Sequence, residues 1–375
     1  MKICFVTSKI ITSHATMKRA FGMANPLTNM GHDVTICLQE AEDNREAMSR
    51  CPDTKSYYYH PGSPLYERQQ KQAFLEQNSF DVVHICGLGI GNAIVPKFIK
   101  NSLVVMDHVE LESSIKLMPL QRRLSQGFLE WWSLFVYQGS IVASRYLEFL
   151  FRRRLHRFGW RKPILWFPYA YDPDSLIPND SDIEDLRNQY YGRKIVVYMG
   201  GLYKSYGCYE MLEAFHKLAD QNSDFVALIL GRGPEQDKVR EFIQENKLEK
   251  WVEFKRYVPE MELPKFLYGA DVLLSPLHDT VTDWARCPSK ILMYMATKKP
   301  IVTCPIGEAW EYLNNDAFYY EPNSVNSMVA AIQKAMSISD SWKPGYDPSQ
   351  HTWQTRVDSW LDWIYGLKPN FFQKN

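Results

Sequence analysis

The chain has 375 residues, enough for two domains of ordinary size, and 45% hydrophobic content supports substantial cores. Its 43 basic residues balance 43 acidic ones, which excludes a global field that would attract nucleic acid. The seven cysteines contain no CxxC pair, and four lie in apolar strand patterns. Buried thiols in a reducing compartment are therefore expected, not a disulfide framework. A signal peptide is not expected, because the first strand pattern, residues 2–7, starts directly after Met1. The longest aromatic-apolar run, residues 127–137, contains Glu130 and is too short to span a bilayer.

In chain order the pattern alternates. Residues 2–7, 33–38, 56–59, 81–86, 103–107, 140–143 and 164–167 read as strands. Residues 14–30, 65–78, 91–100, 119–137 and 145–158 read as helices between them. The Pro- and Asp-rich stretch 172–185 breaks the series and marks a linker. A second series follows, with strands at 195–199, 225–230, 252–257, 272–274, 301–303 and 318–320. Its helices fall at 209–219, 235–246, 262–268, 289–297, 309–313 and 325–336. Beyond a proline-bearing loop at 344–348, residues 352–365 form a last helix with Trp353, Val357, Trp360, Leu361 and Ile364 on one face. The fold class is α/β, with two Rossmann-like doubly wound domains expected to face an inter-domain cleft. Domains are placed at 1–178 and 179–345, with 346–375 a C-terminal helix crossing back to the first domain.

The stretch 270–305 organises the second series. A buried strand, a polar loop, a helix opening near Pro288 and a second buried strand make a βαβ unit in a parallel sheet. Ligands in such sheets sit at the carboxyl ends of the strands, so the loop 279–289 is the first candidate site. The helix start offers backbone N–H groups and a positive dipole end, which suit a phosphate.

Several motifs carry a family likeness. Residues 198–212 (YMGGLYKSYGCYEML), 228–239 (LILGRGPEQDKV), 252–258, 270–277 and 288–302 follow one another in a characteristic order. In the first half, Gly31-His32-Asp33-Val34, Asp81-Val82-Val83-His84, Ser144-Arg145-Tyr146-Leu147 and residues 168–172 (PYAYD) join them. The chain resembles the retaining GT-B glycosyltransferases of the large family-four, "glycosyl transferases group one" class. The resemblance covers nearly the whole chain.

Departures accompany the matches. The arginine and lysine that hold the donor diphosphate in the family fall here on Gly201 and Tyr206, with Lys204 two residues before the latter. The family's two glutamates, eight positions apart, fall on Ala285 and Met293. A methionine cannot accept the two ribose hydroxyl bonds, so ribose recognition must differ.

The resemblance implies a donor site at Gly200, Gly201, Lys204, Arg232, Asp283, Pro288, Ser289 and Lys290, and a catalytic His108 at the end of a first-domain strand. Alternatives stand beside each. His108 also fits a loop histidine bonded to backbone, and His84 is better read as a core histidine. Arg232 faces phosphate or solvent. Asp283, the acid nearest the missing first glutamate, is more simply a loop acid. Ser289 caps its helix or binds phosphate. Lys290 opposes the helix dipole, which is odd for structure alone and reasonable beside a diphosphate. Lys204, Arg232 and Lys290 are expected to converge on one pocket.

Metal ligands are not expected. Asp172-Pro173-Asp174 and Asp180-Ser181-Asp182 imitate a DxD signature, but turns in a linker explain them better. Without a metal, cations and helix-terminus N–H groups must offset the leaving diphosphate. No cofactor is expected beyond a nucleotide diphosphate sugar as co-substrate. On the acceptor side, residues 145–162 mix Arg152, Arg153, Arg154 and other cations with Phe149, Phe158 and Trp160. That mixture suits a lipid diphosphate or an anionic membrane face, or is a solvated helix face over core aromatics. The implied function is a metal-independent retaining glycosyltransferase acting on a glycan or lipid-linked hydroxyl, expected to be cytoplasmic and peripheral on the inner membrane face. No nucleic-acid partner is expected. The alternative is a catalytically weak GT-B homologue that binds a glycan or a partner enzyme.

Overall fold

The structure, a computed structural model, describes residues 1–11, 16–99, 101–339 and 341–367. The N-terminal end of the helix expected over 14–30 and the C-terminal end of that expected over 91–100 therefore lie in part outside the described residues. The chain divides into two compact units. The first comprises Met1–Ala170, Ala285–Cys287 and the described chain from His351; the second comprises Tyr171–Trp284 and Pro288–Gln350. The division thus falls near 170 and 350, where the sequence pattern places it after 178 and 345.

The first unit is a seven-stranded parallel sheet in the order β3-β2-β1-β4-β5-β6-β7. Its strands are β1 (Lys2–Val6), β2 (Asp33–Gln39), β3 (Lys55–Tyr59), β4 (Val82–Cys86), β5 (Leu103–His108), β6 (Gly139–Val142) and β7 (Ile164–Trp166). Helices α1 (Met17–Asn29), α2 (Glu42–Met48), α3 (Pro64–Gln77), α4 (Leu120–Val136) and α5 (Arg145–His156) lie between them. The central strands β1, β4 and β5 are near-continuous apolar runs because both sheet faces are covered. Where the pattern predicts a helix over 91–100, the chain makes only two short 3-10 turns, Ile90–Asn92 and Pro96–Phe98. Pro96 removes a donor from the middle of that segment. The buried Asn92 amide instead donates to the carbonyls of Cys86 and Gly87, which ties the backbone into a loop.

The last helix, α14 (Trp353–Leu367), belongs to the first unit and packs on α1. Its Trp353 indole lies so close to Gly22 of α1 that a Cβ there would overlap the ring. Trp360 is fully buried and stacks on His84, with ring centroids 6.0 Å apart.

The second unit is a six-stranded parallel sheet in the order β10-β9-β8-β11-β12-β13. Its strands are β8 (Lys194–Met199), β9 (Phe225–Leu230), β10 (Val252–Arg256), β11 (Val272–Ser275), β12 (Ile301–Thr303) and β13 (Phe318–Tyr319). Helices α7 (Cys208–Asp220), α8 (Gln236–Glu245), α9 (Leu263–Gly269), α11 (Ser289–Thr297), α12 (Glu308–Leu313) and α13 (Val325–Met336) connect them. Two further helices interrupt segments that read as loops. α6 (Asp180–Gln189) fills the second half of the predicted linker. The Asn179 side chain caps it by accepting from the Ser181 N–H, and Arg187 pins it to Asp271 at 2.6 Å. The five-residue α10 (Val281–Ala285) sits inside the central loop. All seven cysteines are buried thiols.

Candidate functional site

In the second unit, β8 is flanked by β9 on one side and β11 on the other, so the loops leaving these three strands are neighbours along one sheet edge. The loop after β8 begins with Gly200, whose φ of 151° no side chain adopts without strain. It presses against the loop after β9 so closely that a Cβ on Gly231 would overlap the Gly200 carbonyl oxygen. The contact is zipped by backbone: Gly200 N–H donates to Leu230 O at 2.9 Å, and Leu202 N–H to Arg232 O at 3.0 Å. On the other side, Tyr294 of α11 bonds both strands. Its hydroxyl accepts from Met199 N–H at 2.9 Å and donates to Leu274 O at 3.3 Å.

That anchoring brings the first turn of α11 over the β8 loop. The Lys290 ammonium lies 4.3 Å from the centroid of the Tyr198 ring. It also lies 2.8 Å from where a Gly200 Cβ would stand, so any larger residue at 200 would displace it. Tyr198 in turn donates its hydroxyl to Gly201 O at 2.8 Å. Gly200, Gly201 and Lys290 are therefore brought together, as a half-buried cation above a half-buried glycine backbone.

The other expected donor residues have other neighbours. Lys204 is exposed on a short turn and faces the acids Glu210 and Glu235. Arg232 is exposed and lies over the Tyr257 ring at 4.8 Å. The three cations occupy one sheet edge, each with its own immediate partner. Pro288, not Ser289, is the residue before α11, and no side chain caps that helix; the capping reading of Ser289 fails because Ser289 is already helical. Asp283 is buried, and its carboxylate accepts from the His278 N–H at 3.0 Å and from the Thr280 hydroxyl at 3.2 Å. It holds the loop's own backbone, which is the loop-acid reading.

One residue of this edge has no counterpart in the sequence reading. His278 places Nε2 3.0 Å from Glu210 Oε1, and its hydrogen bond is the main cause holding that carboxyl below the usual range. The DxD-like pairs are turn formers. Asp172 accepts from the Asp174 N–H at 3.1 Å, while Asp180 and Asp182 occupy the first turn of α6.

Ala285, at the position of the family's first glutamate, groups with the first unit. It is fully buried against Leu147, Phe151 and Leu111, and its carbonyl accepts from Ser144 Oγ at 2.8 Å. A carboxylate here would enter an apolar cluster. Met293 is half-buried on α11.

His108, the expected catalytic residue, is 2% exposed in the first unit. Its Nε2 shares a hydrogen bond with Ser133 Oγ at 3.2 Å, and its ring meets Phe151 edge-on at 4.7 Å. Burial pushes its pKa down to about 4. The ring is thus neutral and enclosed.

A pH dependence follows from this. The unfolded chain takes up the His108 proton near pH 6.5, the folded one only near 4. Stability from the neutral ring is complete above about pH 6.5 and is lost as pH falls toward 4, by roughly 3 kcal/mol at most. Glu112, raised by burial to about 7, tilts the other way between about 4.5 and 7. The readout is therefore the difference between the native chain and His108→Gln in urea melts at pH 4.5 and 7.5. The variant is expected to have lost the acid sensitivity due to this ring, and an identical pH slope would contradict the assignment.

The basic segment also sorts itself. Arg152 pairs with Glu148 at 2.8 Å, and Arg153 is exposed. Arg154 turns inward to Glu130 at 3.3 Å and lies over the rings of Trp131 and Phe151, so it is not part of an acceptor surface. Trp160 is exposed but rests edge-on against Phe135 at 5.0 Å.

A missed cluster lies behind β5. Arg19 of α1, Asp107 of β5 and His84 of β4 are all fully buried. Arg19 pairs with Asp107 at 2.9 Å and donates to Phe167 O at 2.6 Å, while His84 Nε2 lies 3.7 Å from the same carboxylate.

Residues 182–344 match the family model "Glycosyl transferases group 1". The matched residues make up somewhat under half of the chain. The Gly200–Lys290 arrangement, α7 and α11 all lie among them. Among curated proteins, the chain is 26% identical over 197 residues to the phosphatidylinositol N-acetylglucosaminyltransferase GPI3 subunit of Saccharomyces cerevisiae, covering 52% of this chain and 42% of that protein. It is 27% identical over 113 residues to the 2-deoxystreptamine glucosyltransferase of Streptomyces kanamyceticus, covering 29% of each. The chain thus spans less than half the length of these relatives. Among solved structures it is similar to Anabaena Alr3699/HepE in complex with UDP and glucose, with TM-score 0.72, 16% identity and 98% and 97% of the two chains covered. It is likewise similar to the sucrose-phosphate synthase of Thermosynechococcus elongatus, with TM-score 0.72, 14% identity and 100% and 98% covered. These likenesses show the GT-B fold, two Rossmann-like α/β domains, over nearly the whole chain.

Proposed function

We propose that this chain is a metal-independent, retaining glycosyltransferase that moves a sugar from a nucleotide diphosphate sugar to a hydroxyl of a glycan or a lipid-linked acceptor. The observation that carries the donor half is the Lys290 ammonium held above the bare Gly200-Gly201 backbone at the start of α11. A diphosphate at this place would meet a fixed cation and helix N–H groups, which stabilise charge developing on a leaving group. Arg232 and Lys204 lie along the same edge and would add to that field. As the bond from anomeric carbon to diphosphate breaks, the diphosphate oxygen takes the acceptor proton and the new glycosidic bond forms on the same face. The neutral, buried His108 supports the sheet end and supplies no charge. HepE was solved with UDP and glucose, and the yeast relative is named for a phosphatidylinositol acceptor; both agree with this choice of donor and acceptor class. The proposed site of work is the cytoplasmic face of a membrane, as a peripheral protein.

Lys290→Ala is expected to weaken UDP binding by about 10- to 100-fold, the range for losing a hydrogen bond to a charged group. Isothermal titration with UDP at fixed salt checks it, with circular dichroism to confirm the fold. Native affinity in the variant would remove the donor assignment.

A second reading rests on one observation. Ala285 and Met293 carry no carboxylate, and Ala285 is packed where one could not be ionised. A chain that binds glycan or a partner without transfer would fit that. A thermal-shift screen across nucleoside diphosphates and their sugars separates the two, because a native-state ligand raises the melting point by mass action. No shift with any of them favours the binding module.

A further inference from the structure

Helix α4 buries Gln126, Leu129, Glu130, Ser133 and Leu134. Its other side is apolar and open. Leu120, Leu124 and Phe128 repeat at one-turn spacing and are 66%, 66% and 68% exposed, and Leu117 just before them is 71% exposed. An apolar row of this length on a solvated helix face normally has something to cover it. The row continues into a ledge of aromatic rings. Trp131 meets Phe158 edge-on at 5.7 Å, and Phe135 meets Phe158 and Trp160 at 5.5 Å and 5.0 Å. Phe158 and Trp160 themselves remain about half exposed.

Charge says what the cover is. Between residues 116 and 162 the chain has ten lysines and arginines against two acids, Glu130 and Glu148. Both acids are neutralised, Glu130 by Arg154 in the interior and Glu148 by Arg145 and Arg152. Lys162 is also spent inside, donating to the carbonyls of Phe135 and Tyr137. The exposed cations that remain include Lys116, Arg153, Arg157 and Arg161, while Arg122 faces Glu112 just before the segment. A protein partner's groove would cover the leucines but leave this single-sign surround unmatched. A bilayer with anionic headgroups matches both, because leucine, phenylalanine and tryptophan enter the acyl boundary while arginines meet phosphate. Among the described residues no helix is long and apolar enough to cross a membrane, so attachment of this kind lies in the plane of the surface.

We propose that the α4 face, Leu117, Leu120, Leu124 and Phe128 with the Phe158–Trp160 ledge, is a membrane-docking surface for anionic bilayers. It deepens the peripheral part of the function proposed above, and it names the apolar row, not the arginines alone, as the inserting element. The arginines then act as the electrostatic guide, and Arg154 takes no part.

The test is vesicle co-sedimentation of the full chain with pure phosphatidylcholine and with phosphatidylcholine containing one part in three of phosphatidylglycerol. Binding to the anionic vesicles is expected to be at least about tenfold stronger, and to fall as salt is raised. Leu120→Ser/Leu124→Ser/Phe128→Ser, all at exposed positions, is expected to reduce binding by about tenfold or more at every salt concentration. Arg153→Ala/Arg157→Ala is expected to cost about fivefold per charge, and only at low salt. Binding that ignores lipid charge, or that survives the triple serine change, overturns the proposal. So does light scattering that shows a dimer of the native chain and a monomer of the serine variant, since the face would then belong to a second copy. UDP titration without lipid is read separately, so failure of the donor assignment and failure of this surface are distinguishable.

Discussion

Replacing Trp360 by alanine is expected to cost about 3–5 kcal/mol of stability, the range for removing a large aromatic from a well-packed interior. The indole is fully buried at the centre of α14. It stacks on His84 of β4 and lies 6.3 Å from the Phe5 ring of β1, so one side chain of the last helix closes over the two central strands of the first sheet. The surroundings cannot relax into the hole. Trp353, two turns earlier, is fixed against the Gly22 backbone, and Val357 and Ile364 are themselves buried. A cavity therefore persists, and its cost adds to the lost transfer energy. The check is urea denaturation followed by near-ultraviolet circular dichroism, with Trp310→Ala as a control at a partly exposed tryptophan. A loss below about 1 kcal/mol would mean that α14 is an accessory to the first unit, not a part of its core. A chain stopped before α14 should show a larger loss, because Trp353, Val357, Leu361 and Ile364 go with Trp360.

How much of this was legible in the sequence depends on the range of the forces involved. The central strands of both sheets are apolar runs buried on two faces, so composition alone marks them. The face of α14 is legible for the same reason, since Trp353, Val357, Trp360, Leu361 and Ile364 obey the helical period. Lys290 is legible because a cation in a first helical turn opposes the dipole, and the structure gives it a setting over Gly200 that the oddity leads one to look for. Segment 91–100 misleads because Asn92 and Pro96 act on backbone hydrogen bonds that a hydrophobic pattern does not record. α6 hides in a linker-like composition because its support comes from the ion pair of Arg187 with Asp271, 84 residues away. Arg154 reads as one more surface arginine, and only the fold reveals Glu130 waiting for it inside. The cluster of Arg19, His84 and Asp107 draws on three distant segments, and nothing local marks any of them as a member.

That cluster carries the other large expected effect. Arg19→Leu should cost about 3–5 kcal/mol, because it leaves the Asp107 carboxylate buried without its cation. The guanidinium also lies 4.9 Å and 5.0 Å from the Phe167 and Tyr169 ring centroids and donates to the Phe167 carbonyl, so leucine fills its space without replacing its bonds. The double variant Arg19→Leu/Asp107→Leu should recover much of the loss, since removing both charges also removes the cost of burying them. His84 provides a readout that a packing defect would not move. In the native chain burial lowers its pKa, Asp107 raises it and Arg19 lowers it. Without Arg19 one lowering cause disappears while the carboxylate 3.7 Å away remains, so the imidazole takes up a proton more readily. A folded-state pKa raised in this way adds stability at low pH that is lost as pH rises through the new value. Arg19→Leu should therefore be less destabilising at pH 5 than at pH 8, while Arg19→Leu/Asp107→Leu should lose that dependence. The measurement is the stability of all three chains by urea melts at both pH values. If the single variant loses the same amount at pH 5 and pH 8, His84 does not act as the reserve cation, and Arg19 matters for its packing between the two rings and not for its charge.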